Sequence, residues 1–189
     1  MGSMQVIPKA GKRNTTRDGF KVLDACHQQT LATLDTLAAL VKRLDEKGDD
    51  AQARAMAAEV VQFFSTTARQ HHEDEERHIF PKVLASPDPE VVQTVLRLQQ
   101  DHSWLEEDWM ELSGHLEALA AGQSWWDLAL LREGCEVFIA LSHDHMVLEE
   151  SCIYPEARAR MQQAERSEMG REMAARRREK RAQHAPPGR

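Results

Sequence analysis

The sequence predicts an all-α protein: an up-down-up-down four-helix bundle followed by a basic, partly helical C-terminal tail. The chain of 189 residues has few aromatic residues, 5% of the total, and is rich in Leu and Ala, which favours helices. Apolar residues recur at heptad-like spacing over four long stretches. Only short breaks separate these stretches, and short connections between helices of similar length are typical of such a bundle.

The first half of the chain contains a loose arm and two predicted helices. Residues 1–16 mix Gly, Lys, Arg, Asn and Thr without periodicity, so we expect a flexible arm there. The first helix is predicted from about Asp18 to Lys47 and is followed by a glycine break. The second is predicted from about Asp50 to Leu84, where a Ser-Pro-Asp-Pro sequence stops it.

The second half repeats this arrangement with two more helices. The third is predicted from Pro89, a residue favoured at the first helical position, to about Ala121. The fourth is predicted from Trp125 to about Arg160, with a kink or an end at Pro155 because proline cannot donate a backbone hydrogen bond. The expected organisation is therefore an arm at 1–16, a bundle at 17–162 and a basic tail at 163–189.

Charge and cysteine content limit the possible partners and the compartment. The formal charge of −7 argues against a protein that coats nucleic acid, and we expect no nucleic-acid partner. The three cysteines form no Cys-x-x-Cys pair, and their odd number argues against a disulfide framework. Free thiols favour a cytoplasmic location. No apolar run is long enough for a membrane span, so we expect no membrane partner. The expected oligomeric state is a monomer or homodimer.

The most informative pattern is a pair of matching segments, residues 71–81 and 145–155. Each starts with His, has two adjacent Glu that begin four residues after that His, and ends in Ile-aromatic-Pro. A lone histidine, His27 or His102, precedes each segment at nearly the same distance. Such self-similarity indicates a duplicated helix pair.

Placed on helices, the repeat predicts a metal site inside the bundle. Residues four apart differ by only about 40° around a helix, so each His-x-x-x-Glu pair points one way. Imidazole and carboxylate are good ligands for transition metals, and carboxylates can join two ions. The predicted ligands, one histidine per helix and two carboxylates, are His27, His71, Glu75, His102, His145 and Glu149. The alternatives are a solvated helix face for the His–Glu pairs and satisfied core histidines for the two lone residues.

These motifs resemble the hemerythrin-like, or HHE cation-binding, domain over about residues 18–158. The family pattern is His, His-x-x-x-Glu, His and His-x-x-x-Glu on four successive helices, and this sequence supplies each part in order. The resemblance implies a non-haem centre of two iron ions bridged by the two carboxylates, in which Zn or Mn could substitute. Spacing alone does not select iron.

One position departs from the oxygen-carrying members of that family. They have a second histidine four residues after the helix-3 histidine, where this chain has Glu106. We expect Glu106 either to bind metal or to lie just outside the ligands, and a plain surface position is the third alternative. A carboxylate there argues against reversible oxygen carriage and favours a more oxidised centre.

Other residues near the motif receive simpler interpretations. His78 and Cys152, one turn beyond the two glutamates, are expected to line the pocket. His72, by contrast, lies off the inner stripe and is expected to be exposed, as are His115 and His143. Tyr154 is expected to pack in the core.

The leading functional hypothesis is a di-iron protein that binds or reacts with O2, NO or peroxide. A bundle can exclude bulk water while the two ions cycle between ferrous and ferric states. The first alternative is iron storage, or iron donation for iron–sulfur cluster repair. The second is a structural metal bundle that acts as an interaction module. Whether the protein is an enzyme is left open.

Overall fold

The computed structural model describes residues 18–183, and the secondary structure in this range is helical, without strands. The α-helices are α1 (Gly19–Lys47), α2 (Ala51–Gln62), α3 (Arg69–His78), α4 (Phe80–Leu84), α5 (Pro89–Ala120), α6 (Leu128–Leu148), α7 (Tyr154–Arg160) and α8 (Gln163–Gln183). The predicted arm at 1–16 and the last six residues of the predicted tail lie outside the described range. The all-helical prediction is confirmed, and no helix in the described range is long and apolar enough to cross a membrane.

The helix ends follow from local capping chemistry. The carboxylate of Asp18 accepts a hydrogen bond from the backbone N–H of Phe20 at the start of α1. Gly48 ends this helix with a positive φ of 72°, a conformation that glycine adopts without a steric penalty. The carboxylate of Asp50 then caps α2 through the backbone N–H of Ala53.

The fourth helical stretch starts later than predicted. Helix α6 begins at Leu128 rather than at Trp125. The reason is that Asp127 is the N-cap, and its carboxylate accepts a hydrogen bond from the backbone N–H of Leu130. Trp125 instead lies in the preceding loop, where its side chain is exposed and its indole N–H donates to Gln123.

The second and fourth predicted helices are each interrupted by a short π-helical segment. These segments, named π1 (Phe63–Ala68) and π2 (Glu149–Ile153), lie immediately before and within the His–Glu motifs. A π-helical turn holds an additional residue and shifts the helical register of the residues after it, and such turns are frequent at functional sites. Pro155 lies in the first turn of α7, directly after π2, where a proline is tolerated.

The four long helical stretches pack as a bundle. Helix α1 contacts both α2 and α6, and α5 contacts the same two helices. Two apolar clusters fill the interior, one built around Leu37, Phe64 and Phe138 and the other around Leu23, Phe80 and Ile153. Each helical stretch contributes to both clusters, and the histidines and glutamates of the repeated motifs lie near the boundary between those contributions along the sequence. The bundle therefore has a polar layer between two apolar ones.

The C-terminal helix α8 is packed onto the bundle, mainly against α1. Met169 and Met173 are buried in the second apolar cluster. Arg176 and Arg177 both donate to the carboxylate of Asp74, at 2.6 and 2.5 Å, and that carboxylate is only 2% exposed. Burial raises the pKa of Asp74, while the two guanidinium groups oppose that shift.

We expect the double substitution R176A/R177A to destabilise the protein by about 3 kcal/mol, because it leaves Asp74 buried without its cationic partners. The free energy of unfolding in urea measures this loss. The matched control is R171A/R178A, which removes the same charge from exposed positions on the same helix. An equal effect of the two double substitutions would show that the buried ion pairs are not responsible.

Candidate metal centre

The structure brings six of the seven predicted metal ligands together in one buried cluster. Each of the six is at most 5% exposed. They come from four different helical stretches: His27 from α1, His71 and Glu75 from α3, His102 from α5, His145 from α6 and Glu149 from the start of π2. The seventh, Glu106, lies apart from them.

One half of the cluster contains His27 and His71. The Nε2 atom of His27 lies 3.1 Å from Oε2 of Glu149 and 4.0 Å from Oε1 of Glu75. The Nε2 atom of His71 lies 3.3 Å from the same Glu75 oxygen. Ligand atoms of these four residues all lie within 4.8 Å of one another, close enough to surround one ion.

The other half contains His102 and His145 and uses the remaining carboxylate oxygens. Oε2 of Glu75 lies 3.5 Å from Nε2 of His102. Oε1 of Glu149 lies 3.1 Å from Nε2 of His145 and 3.9 Å from Nε2 of His102. Each glutamate therefore directs one oxygen toward each histidine pair, which is the arrangement needed to bridge two ions.

Several buried polar atoms of the cluster lack hydrogen-bond partners, which fits a metal site. They include Oε2 of Glu75 and both carboxylate oxygens of Glu149. Burying a carboxylate without compensation is costly, and a cation would supply that compensation. The mixed nitrogen and oxygen donor set suits iron, zinc or manganese.

The protonation behaviour of the cluster shows a strong demand for positive charge. Burial disfavours charged imidazoles, but the carboxylates outweigh it: Glu149 chiefly, with Glu75, raises the pKa of His27 to about 9. Glu149 and Asp101 likewise raise the pKa of His145 to about 10. Burial and repulsion from Glu149 raise the pKa of Glu75 to about 7. Without metal, the cluster retains protons that a metal ion would displace.

Two glutamates outside the predicted ligand set orient the lone histidines. Oε1 of Glu76 lies 2.9 Å from Nδ1 of His102, and Oε1 of Glu150 lies 2.9 Å from Nδ1 of His27. Both carboxylates are half exposed, yet each reaches a histidine of the other half of the repeat. A carboxylate bound to one ring nitrogen directs the other toward a metal. The doubled Glu in both segments was the sequence signal for this role.

We expect E76A and E150A each to weaken metal binding by about 10- to 100-fold, the usual effect of losing a partner that orients a histidine ligand. A competition titration with a chelator measures this change. The control is E179A, which removes an exposed glutamate from α8. Affinity that is unchanged relative to E179A would argue against an orienting role.

Tyr154 contacts the cluster in addition to packing in the core. Its hydroxyl donates a hydrogen bond to Oε1 of Glu75 and lies 3.2 Å from Nε2 of His27. Its ring stacks on the His27 ring with centroids 5.3 Å apart. The residue in the same position of the first segment, Phe80, stacks on His102 in a similar way. The Tyr154 hydroxyl is therefore present in the second repeated segment and absent from the first, where Phe80 takes its place.

The inner face of α3 includes His72 and leaves out His78. The expectation that His72 is exposed is wrong, because this residue is half-buried and its ring lies on that of His102 with centroids 4.0 Å apart. His78 is bound to Glu172 of α8 at 2.7 Å instead. Around the helix axis, Glu75 and His72 lie about 40° and 100° from His71 in one direction, and His78 lies about 20° from it in the opposite direction. The side of α3 that faces the cluster therefore extends from His71 toward His72 and away from His78.

A small cavity of about 40 Å³ adjoins the cluster, and Glu106 lies on its wall together with Arg69. Glu106 is 42% exposed and accepts hydrogen bonds from the Arg69 guanidinium, with Nε 3.0 Å from Oε2. Apolar side chains form much of the remaining wall: Phe64, Leu105, Trp109, Phe138 and Met146. Since a cavity needs only about 10–15 Å³ to hold one water molecule, this cavity has room for a diatomic molecule or peroxide.

Comparison with known proteins agrees with this architecture. The chain is 28% identical over 163 residues to an uncharacterized protein of Haemophilus influenzae, covering 86% of this chain and 92% of that protein. The family model described as the hemerythrin HHE cation binding domain matches residues 18–157. That range contains the whole buried cluster and most of the chain. The chain therefore belongs to the hemerythrin HHE cation-binding domain family, as its motifs indicated.

Proposed function

We propose that the protein holds a non-haem di-iron centre that binds or reacts with a small oxidant: O2, NO or peroxide. The observation that carries this proposal is the small cavity beside the cluster, lined by His71 and His145 and otherwise largely apolar. Two iron ions joined by carboxylates supply reversible change between ferrous and ferric states. The bundle supplies a site from which bulk water is largely excluded.

The ligand roles follow from the distances within the cluster. We assign His27 and His71 to one ion, and His102 and His145 to the other. Glu75 and Glu149 serve both, since each has one oxygen near each histidine pair.

Glu106 belongs outside the ligand set in this proposal. Its carboxylate is bound to Arg69 at the cavity wall, and its side chain is much more exposed than any of the six proposed ligands. We infer that the pair provides a polar, charge-balanced side to the cavity and influences the access of a small molecule. At this position the protein would then differ from oxygen carriers in how a small molecule enters the cavity.

The finer organisation of the bundle is also part of this proposal. We propose that the four helical stretches alternate in direction, because the breaks at 48–50, 85–88 and 121–127 are short. The three cysteines are free thiols, and two of them are buried. Free thiols are compatible with the cytoplasmic location that we propose.

The test is the visible spectrum of protein loaded with ferrous iron without air and then mixed with each oxidant. We expect new charge-transfer absorption with at least one of O2, NO and peroxide, formed in proportion to bound iron. Zinc-loaded protein is the spectroscopically silent control. No new absorption with any of the three would contradict the proposal.

The same preparation separates the iron-handling alternative. A protein that stores or donates iron should lose its metal readily to a metal-free acceptor protein, whereas a stable redox centre should retain it. Six buried ligands from four helical stretches favour retention. Rapid transfer, with no oxidant-dependent absorption, would favour iron donation.

A further inference from the structure

His72 occupies a place that the family resemblance did not assign to it. Its ring stacks on His102 with an interplanar angle of 15°, and its centroid lies 5.7 Å from that of His145. Ligand atoms of these three histidines all lie within 4.8 Å of one another. His72 also lines the cavity beside the cluster.

The position distinguishes the two halves of the duplicated motif. His71 and His145 occupy equivalent places in the segments 71–81 and 145–155, so His72 corresponds to Met146. Both residues line the same cavity. The cavity therefore has an imidazole on one side of the repeat and a thioether on the other.

We propose that His72 is a third imidazole ligand of the metal held by His102 and His145. This inference rests on the two-metal centre of the proposed function. It gives that ion three histidines, whereas the ion held by His27 and His71 has two. The additional imidazole comes from the residue beside His71 on α3, while Glu106 of α5 is bound to Arg69.

The surroundings of His72 favour a ligand over a satisfied core histidine. Within the described part of the chain, neither of its ring nitrogens forms a hydrogen bond, although the residue is half-buried. One face of its ring stacks on His102, and the ring of His145 lies edge-on to it at an interplanar angle of 68°. A metal ion that accepts a nitrogen lone pair from each of the three rings would give His72 the partner that it lacks.

The geometry requires only a local change of the His72 ring. Metal–nitrogen bonds of about 2.0–2.1 Å place two nitrogens that bind one ion about 3–4 Å apart. In the structure, the ligand atoms of His72, His102 and His145 lie within 4.8 Å of one another, so they need to approach only slightly. Two imidazoles on one ion cannot remain face to face, so the ring must tilt off His102. The adjoining cavity provides space for that tilt.

The test compares H72M, H72A and wild-type protein in anaerobic titrations with Fe²⁺ against a competing chelator. H72M copies the residue at the equivalent position, and H143M places the same residue at an exposed histidine as the control. We expect both His72 variants to bind the first ion as the wild type does, and the second at least about tenfold more weakly. A second ion bound equally well by H72M, H72A and H143M would overturn the inference.

A second measurement is made on the wild-type protein and uses a variant only to assign one signal. In zinc-loaded wild-type protein with ¹⁵N-labelled histidine, the His72 ring nitrogen should shift to the metal-bound range, with H72M identifying its signal. A His72 signal unchanged by zinc would overturn the inference and leave the two-metal centre intact. Wild-type protein that binds fewer than two ions would overturn the proposed two-metal centre itself, and with it this inference.

Discussion

The double substitution H71A/H145A is expected to leave less than about one tenth of the wild-type metal bound after dialysis. Together the two changes remove one imidazole from each histidine pair, and each leaves a bridging glutamate without the partner one turn before it. Losing even a residue that orients a ligand costs about 10- to 100-fold in affinity, so losing a ligand at both ions should cost more. Metal content per folded chain, measured by mass spectrometry, gives the result.

The control for this prediction is H115A/H143A, which removes two histidines that lie outside the buried cluster. It should retain wild-type metal content. Circular dichroism would establish that both double variants are helical. Unchanged metal content in H71A/H145A would mean that the ligand assignment is wrong.

Metal loading should stabilise the protein by roughly 4 kcal/mol for each ion when free metal is about a thousandfold above its dissociation constant. The gain arises because metal binds the assembled cluster and not the dispersed ligands of the unfolded chain. This stabilisation by metal should increase with pH, because metal must displace protons from the cluster.

In metal-free protein, the raised pKa values of His27, about 9, and His145, about 10, mean that their charged forms stabilise the fold. That contribution is fully present below the unfolded value of about 6.5 and is lost as pH rises through 9 and 10. Metal must displace the same protons, so its binding becomes easier over this window. The difference in unfolding free energy between loaded and metal-free protein should therefore grow between about pH 6.5 and 9.

Chemical denaturation at several pH values, with matched loaded and metal-free samples, tests this expectation. The variant H71A/H145A should show little difference between the two conditions at any pH. A stabilisation by metal that shrinks as pH rises through this window would contradict the proton displacement proposed here.

The long helices could be predicted because their information is local. The apolar period, the capping aspartates and the glycine at 48 are all visible in the sequence, and they gave the bounds of α1 and α5 to within about one residue. Helical angle related each glutamate to the histidine four residues before it, and the spacing of the repeat added His27 and His102 to the proposed ligands. Helix α6 was less well placed because Ser124 and Asp127 are both plausible caps, and only the folded loop selects between them.

The features that the sequence did not predict depend on contacts between elements. The two π-helical segments interrupt otherwise regular helical patterns, and the apolar period does not reveal them. The roles of Glu76 and Glu150 depend on which distant histidine each side chain can reach. His72 was wrongly predicted to be exposed because the side of α3 that faces the cluster includes this residue and leaves out His78. The buried ion pairs of Asp74 were missed because its partners lie more than 100 residues away, in the basic tail, where the sequence pattern predicts no contact with the bundle.

The most direct test of the central claim is the number and identity of metal ions in protein purified without added metal or chelator. We expect about two iron ions per chain, in keeping with the two histidine pairs and two shared carboxylates. Protein that is fully folded yet carries no metal, or a single ion per chain, would contradict the account.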